Sequence, residues 1–467
     1  MEVWQVLSYD LEHVRRTGVF APLCRAHDPY RAPGAPPSSR ENHVTAPENQ
    51  QAGSSNWTRR GVLGGLLAAP ALLVAACNGD TGGGNGNAAG KAGAAPSGAA
   101  TTKGVDTPKT SAARITVTPA DGATAAPFTR PIKVAVTGGT LTSVTATDEK
   151  GRAVAGTLSA DRLGWASTDP LSSGTRYTVA AVATDPDDLE ADAHAAFATA
   201  APANTFVGHF TPENGATVGV GMPVSINFSR PITNRKAVQE AITVTARPGV
   251  EIVGHWVSST RLDFRPQEYW AKGTAVTLSL RLKDVEGAKG VYGTQSKDVG
   301  FTVGRSRTSV ADLSADTLTV TTDGVVTATY PIIGGAPATR TWGGKLVIAE
   351  QYLQTKMDSQ TVGLGDEYNI PDVPHAQRLT TSGTFIHGNY WSPESAFGAQ
   401  NLSHGCIALR DVKGAGDPQT DAAVFFKDSL VGDVVEVVNS GDRPVDPANG
   451  LNGWNMSWAD WKAGSAV

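Results

Sequence analysis

The sequence predicts a mostly β protein, two β-sandwich modules followed by a third β-rich domain. Three observations carry this. Thr, Val, Ala and Gly are abundant, while charged residues make up only 18% of the 467, a composition that suits extracellular β-domains better than a cytosolic helical enzyme. The stretch Thr118-Pro119-Ala120-Asp121-Gly122-Ala123-Thr124 returns as Thr211-Pro212-Glu213-Asn214-Gly215-Ala216-Thr217, an internal repeat. Each copy precedes a short run in which apolar and polar side chains alternate with the period of a half-buried strand.

Taken in order, residues 1–55 mix Pro, Arg, Ser and His without periodicity, and no fold is assigned to this leader. Residues 56–77 read as an export signal. Arg59 and Arg60 are its positive region, and Val62 to Val74 is an apolar run too short for a stable transmembrane helix. The arginine pair resembles a twin-arginine signal. Val74-Ala75-Ala76-Cys77 resembles a bacterial lipobox, which implies lipidation of Cys77 and anchoring to the cell membrane. A signal behind a polar leader also implies that Met1 is a misplaced start.

Residues 78–112 collapse to Gly, Ala, Asn, Ser, Thr and Lys, a flexible tether whose reach is on the order of 30–35 Å. Residues 113–200 and 201–304 are the two repeats. Ile132 to Val136 and Val224 to Phe228 are predicted strands, and Gly174-Thr175 before Tyr177 echoes Gly273-Thr274 before Val276. His209 and His255 have no Cys, Ser-His pair or carboxylate pair beside them, so they are read as packed or solvated. Trp165, Trp256 and Trp270 are read as core or inter-domain anchors. Both modules are spacers.

The third domain spans residues 305–440. Leu318 to Thr321 and Val325 to Tyr330 flank Asp323-Gly324, which supplies the positive φ of a tight hairpin turn. Further strands are predicted at Lys345 to Ala349, Thr384 to His387 and Val434 to Val438, a helix at Asp421 to Ser429, and a loop from Gly363 to Pro374. Residues 441–467 form a Trp-rich extension.

The chemistry concentrates in Thr384 to Arg410, TFIHGNYWSPESAFGAQNLSHGCIALR. A thiolate is the attacking form of cysteine and a free thiol is mostly protonated at neutral pH, so Cys406 needs an imidazole. His387 and His404 are both available. Gly405 allows the backbone to approach a substrate and its N–H groups to converge on an oxyanion. Ser403 suits a turn hydrogen bond. A zinc site from His387, His404 and Cys406 lacks a fourth ligand and the usual spacing; neither metal nor cofactor is expected. The 39 basic and 44 acidic residues leave a charge of −5, with no basic patch interleaved with aromatics, which excludes nucleic acid as partner. Cys24, Cys77 and Cys406 make no disulfide framework.

This stretch resembles the catalytic signature of L,D-transpeptidases, a histidine leading a Ser-His-Gly-Cys loop. Thr341-Trp342-Gly343-Gly344 resembles the turn before the strand Leu346 to Ala349 of the same domain, and Gly432-Asp433 leading into Val434 to Val438 resembles its closing strand. Residues 113–304 resemble the paired immunoglobulin-like modules of actinobacterial members, and Gly453 to Trp458 with Trp461 is similar to their C-terminal extension. The resemblance implies that Cys406 attacks the carbonyl of a peptidoglycan donor stem, releasing D-alanine and leaving a thioester that a side-chain amine of an acceptor stem resolves. It implies that His387 is the base, that the Gly388 carbonyl orients it, that His404 shapes the loop, and that the N–H groups of Gly405 and Cys406 hold the oxyanion. Tyr368 is the nearest candidate for a lid tyrosine, with Tyr390 and Trp391 as competing pocket walls. Carbapenem β-lactams are implied covalent inhibitors. Many members carry Asn or Arg two residues after the cysteine, where this chain has Ala408, with Arg410 the nearest replacement. Two other readings stay open: a cysteine carboxypeptidase of the same stems, and a non-catalytic wall-binding scaffold.

Overall fold

The computed structural model describes residues 109–363 and 365–467. The segments read from sequence as leader, export signal with Cys77 and tether, up to residue 108, lie outside the described residues.

Residues 113–200 fold as two sheets on one core. In Lys133–Thr137, Val134 and Val136 turn inward while Lys133, Ala135 and Thr137 face out, the alternation the sequence carries. This strand lies between Arg114–Thr118 and Gly164–Ser167. The second sheet joins Thr140–Asp148, Arg176–Thr184 and Glu190–Ala198. Ile132, Leu141, Trp165, Val179 and Phe197 fill the space between them.

Residues 204–303 repeat the plan. Val224–Phe228 sits between Arg261–Arg265 and Gly208–Thr211, and a second sheet pairs Ala275–Arg281 with Ile242–Arg247 and Ser296–Val303. Ile226, Trp256, Leu262, Trp270, Leu278 and Phe301 share its core. Gly122 and Gly215, equivalent in the repeated turns, have φ of +78° and +80°, a region open to glycine at little cost. All three anchor tryptophans are buried. His209 is exposed, whereas His255 stacks on Trp461 with ring centroids 4.7 Å apart.

The strands from Arg307 onward form one nine-stranded sheet. In chain order they are β1 (Arg307–Asp312), β2 (Thr317–Thr322), β3 (Val325–Ile333), β4 (Gly344–Val347), β5 (Glu350–Asp358), β6 (Asn369–Arg378), β7 (Phe385–Asn389), β8 (Ile407–Arg410) and β9 (Val434–Val438). Their order across the sheet is β4-β9-β1-β2-β3-β8-β7-β6-β5. The β2–β3 hairpin turns at Asp323 (φ +51°) and Gly324 (φ +83°), the backbone an Asp-Gly turn supplies. Helix α1 (Asp421–Asp428) starts at Thr420, whose hydroxyl caps the Ala423 N–H; Asp421 in its first turn and Lys427 in its last suit the helix dipole. Its Ala422 and Phe425 join Leu318, Ile332, Ile386, Ile407, Leu409 and Val435 in the core.

The expected loop from Gly363 to Pro374 is corrected in part. Its residues from Asn369 onward belong to β6, paired with β5. Pro371 and Pro374 read as loop because proline cannot donate to a ladder. The pairing shifts register between Thr355 and Met357, and this irregularity admits Pro371.

Two features hold the nine-stranded sheet to the preceding β-sandwich. Gly219 and Gly221 donate backbone hydrogen bonds to Val431 O (2.8 Å) and Gly432 O (2.9 Å). A Cβ on Gly219 would stand 2.1 Å from Asp433 N, so the approach requires glycine. The Trp-rich tail then straps both together. Trp454 Nε1 donates to Gly221 O (2.7 Å) and Trp461 Nε1 to Val253 O (2.9 Å), while the fully buried Asn452 accepts from Val347 N (2.8 Å) and donates to Leu379 O (3.0 Å).

Candidate active site

β7 and β8 run parallel with Ile386 opposite Ile407 and His387 opposite Ala408. Alternate residues of a strand share a face, so His387, Ala408 and Cys406 face the same way. All three line a cavity of about 150 Å³ with Ile333, Met357, Tyr368, Trp391, Ser403 and His404.

His387 is buried, and its Nδ1 lies 2.9 Å from Gly388 O. A carbonyl only accepts, so Nδ1 carries the proton and Nε2 the lone pair. Trp391 stacks on the imidazole at 5.8 Å and 19°. Burial holds the His387 pKa below the ordinary histidine value, against the opposing effects of the Gly388 carbonyl and Asp411. Cys406 Sγ accepts from Phe385 N at 3.4 Å, yet enclosure pushes its thiol up to about 11. At neutral pH the two groups are therefore a thiol and a neutral imidazole. Such a pair is equipped for attack on an acyl group with the base taking the thiol proton as the bond forms.

The Ser-His-Gly-Cys loop is tied from within. Ser403 Oγ donates to Cys406 O (2.5 Å) and accepts from Gly405 N (3.2 Å), while Ser403 N donates to Gly334 O (2.9 Å) and Ser403 O accepts from Ala336 N (2.8 Å) and Thr339 Oγ1 (2.8 Å). Gly405 has φ of +107°, which lets the chain double back. The Gly405 N–H thus serves the loop, and the Ser403 hydroxyl is a turn bond although Ser403 also lines the cavity.

The other expected residues divide. Tyr368 lines the cavity and lies against the His404 ring at 5.0 Å; burial first, then the nearby Cys406, Glu367 and Asp358, raise its phenol pKa. His404 Nε2 is 2.9 Å from Glu367 Oε2, and both side chains are well exposed. Tyr390 turns instead to Asp372, donating to Oδ1 at 2.6 Å, and packs edge-on against Trp391; it is not among the cavity-lining residues. Sequence reasoning missed Glu367 and a buried pair behind β7, His375 and Asp411, 2.7 Å apart. No spacing marks these residues: His375 and Asp411 meet through the pairing of the strands around them, and Glu367 meets His404 from a separate turn.

Residues 306–437 match the family described as the L,D-transpeptidase catalytic domain, and residues 123–286 match the bacterial Ig domain. L,D-transpeptidase 2 of Mycobacterium tuberculosis is 33% identical over 76% of this chain and 85% of its own length. L,D-transpeptidase 5 of the same organism is 32% identical over 76% of this chain and 78% of its own. A solved structure of an L,D-transpeptidase in complex with imipenem is 33% identical, covering 49% of this chain and 97% of that one with a TM-score of 0.41. Identity at that level over three quarters of the chain, with the catalytic-domain match spanning the segments that hold Cys406 and His387, makes this protein a member of the L,D-transpeptidase family.

Proposed function

We propose that this transpeptidase joins peptidoglycan stems through Cys406 and His387. One observation carries the reading: the His387 imidazole, with Nδ1 engaged by Gly388 O, opens into the same cavity as the Cys406 thiol. In the first half-reaction Cys406 Sγ bonds to the donor carbonyl carbon as its proton passes to His387 Nε2. The carbonyl oxygen becomes the oxyanion, held by the Cys406 N–H with the Gly405 turn shaping its approach. Collapse breaks the bond to terminal D-alanine, whose amine takes the proton from His387. In the second half-reaction the acceptor amine attacks the thioester, its proton goes to His387, and the thiol leaves reprotonated. His404, held by Glu367, shapes the rim, and Tyr368, Trp391 and the Tyr390 behind it wall the donor site.

The layout suits work outside the cytoplasm. Residues 1–55 are a leader, 56–77 a lipoprotein signal ending at Cys77, 78–112 a tether, 113–200 and 201–304 spacers, 305–440 the catalytic domain and 441–467 its extension. Lipidated Cys77 holds the enzyme on the outer face of the cell membrane. Metabolic labelling with a fatty acid, lost in Cys77→Ala, is the expected result; an unlabelled wild type would end this part of the reading.

The test of the activity is a digest of stems incubated with enzyme. Cross-linked dimers that vanish with Cys406→Ala are expected. Trimmed monomers alone would make the enzyme a carboxypeptidase, and intact stems together with no carbapenem adduct on Cys406 would make it a scaffold.

A further inference from the structure

Behind the catalytic strand lies a buried acid that the mechanism above does not use. Asp411 follows β8, its N–H donating to Asn389 O at 3.2 Å. Its side chain is fully enclosed, and its oxygens take three hydrogen bonds. Oδ2 lies 2.7 Å from His375 Nδ1, while Oδ1 accepts from Thr420 Oγ1 at 2.9 Å and from Val412 N at 2.8 Å. His375 is on β6 with φ of +45°, a backbone state uncommon for residues other than glycine and several-fold enriched in Asn, Asp and His.

The carboxylate is pressed against Gly388. A Cβ there would stand 2.0 Å from Asp411 Oδ2 and 2.7 Å from its Cβ and Cγ. Gly388 is therefore glycine to admit the acid, and its carbonyl is the one that holds the His387 Nδ1 proton. Neighbouring residues of a strand face opposite ways. The acid thus occupies the reverse face of β7 from the imidazole, one peptide away.

The geometry points to Asp411, clamped by His375 and Thr420, as a positioning residue that fixes the Gly388 peptide under His387 and lends the imidazole a negative charge through the strand. The inference rests on His387 being the base. A base that accepts the thiol proton becomes a cation in a buried site, and a fixed anion nearby stabilises that cation. Asp411 acts on the His387 pKa in this upward sense. A carboxylate that meets the histidine directly is the familiar arrangement; here the contact passes through backbone.

The other titratable groups around His387 are Cys406 in the cavity, and His404 with Glu367 and Tyr368 on its rim. Asp372, Lys413 and Tyr390 form a cluster beside Trp391, and Arg410 pairs with Glu394 beyond it.

The experiment follows carbapenem acylation of Cys406 against pH in the full chain. Asp411→Asn keeps shape and removes charge. It is expected to slow acylation by about 10- to 100-fold and to move the acid limb of the profile to lower pH. An unchanged rate, or a slower rate with an unmoved limb, overturns the inference. If Asp411→Asn does not fold, His375 decides: Asn tolerates the positive φ and keeps a donor, so His375→Asn is expected to acylate several-fold faster than His375→Ala. Equal rates for those two overturn the inference. His387→Ala is run alongside; if it acylates normally, the assignment of the base fails, which is a different result from a silent Asp411.

Discussion

His387 stands opposite Ala408 in the parallel pairing of β7 with β8, and through that register its imidazole shares a cavity with the thiol two residues before Ala408. The two proposed catalytic groups come from segments nineteen positions apart in sequence, and the strand pairing, rather than the loop, sets their relation. Cys406→Ala is expected to abolish cross-linking and carbapenem adduct formation. His387→Ala should slow acylation by about 10²- to 10⁴-fold, because the thiol is then left with its raised pKa and no base. Intact-mass kinetics measure both; a His387→Ala adduct formed at the wild-type rate would contradict the pairing.

Ala408 itself is buried between His387 on one side and Ile333 on the other. Its small side chain keeps the cavity floor open. Ala408→Leu adds three carbons to that floor and is expected to reduce acylation by tenfold or more while costing about 1–3 kcal/mol of stability from overpacking. Ala408→Ser, which adds one oxygen, should leave both nearly unchanged. Thermal melts and acylation rates on the two variants separate blockage from unfolding.

The titration behaviour has a direction that can be measured. Cys406 is pushed up to about 11 by burial, so alkylation by iodoacetamide is expected to be slow at pH 7 and to keep rising through pH 9. His387 is depressed below the ordinary histidine value, also by burial. A base works when deprotonated, and a lowered pKa keeps it so further into acid. Acylation should therefore hold its rate at mildly acidic pH and fall only below the usual histidine range. An alkylation plateau already reached at pH 6 would reveal a thiolate–imidazolium pair instead.

What the sequence made legible follows from the range of the interactions involved. The Asp323-Gly324 turn, the Thr420-capped helix and the strand Val434–Val438 depend on neighbouring residues, and each appears close to where local pattern puts it. The signature from His387 to Cys406 is also local in sequence. Strands β5 and β6 escaped because two prolines interrupt the second and its pairing tolerates a register shift. The parallel pairing of β1 with β9, which closes the domain on itself, joins residues over a hundred positions apart. Asp411 and His375 likewise meet across β7, and nothing in either segment announces the other.

The rim of the site is held by an exposed polar contact, His404 Nε2 with Glu367 Oε2 at 2.9 Å. Exposed pairs contribute roughly 0–1 kcal/mol and weaken with salt. Glu367→Gln is therefore expected to leave the melting temperature unchanged and to raise KM for donor stems a few-fold, with little change in kcat. A large fall in kcat would instead give His404 a part in proton transfer.

The tail makes the strongest claim on stability. Trp461 is 1% exposed, donates to Val253 O, stacks on His255 and lies 4.3 Å from the Arg265 guanidinium. Removing such a side chain leaves a cavity and an unpaired carbonyl, so Trp461→Ala is expected to cost about 3–5 kcal/mol. The loss falls on the joint between the catalytic sheet and the preceding β-sandwich, since the same tail binds β4 through Asn452 and Asn455. Calorimetry should accordingly show one transition in the wild type and two in Trp461→Ala, with Trp461→Phe retaining most of the stacking. A single, slightly lowered transition in the alanine variant would mean that the Gly219–Asp433 contact alone couples the two parts.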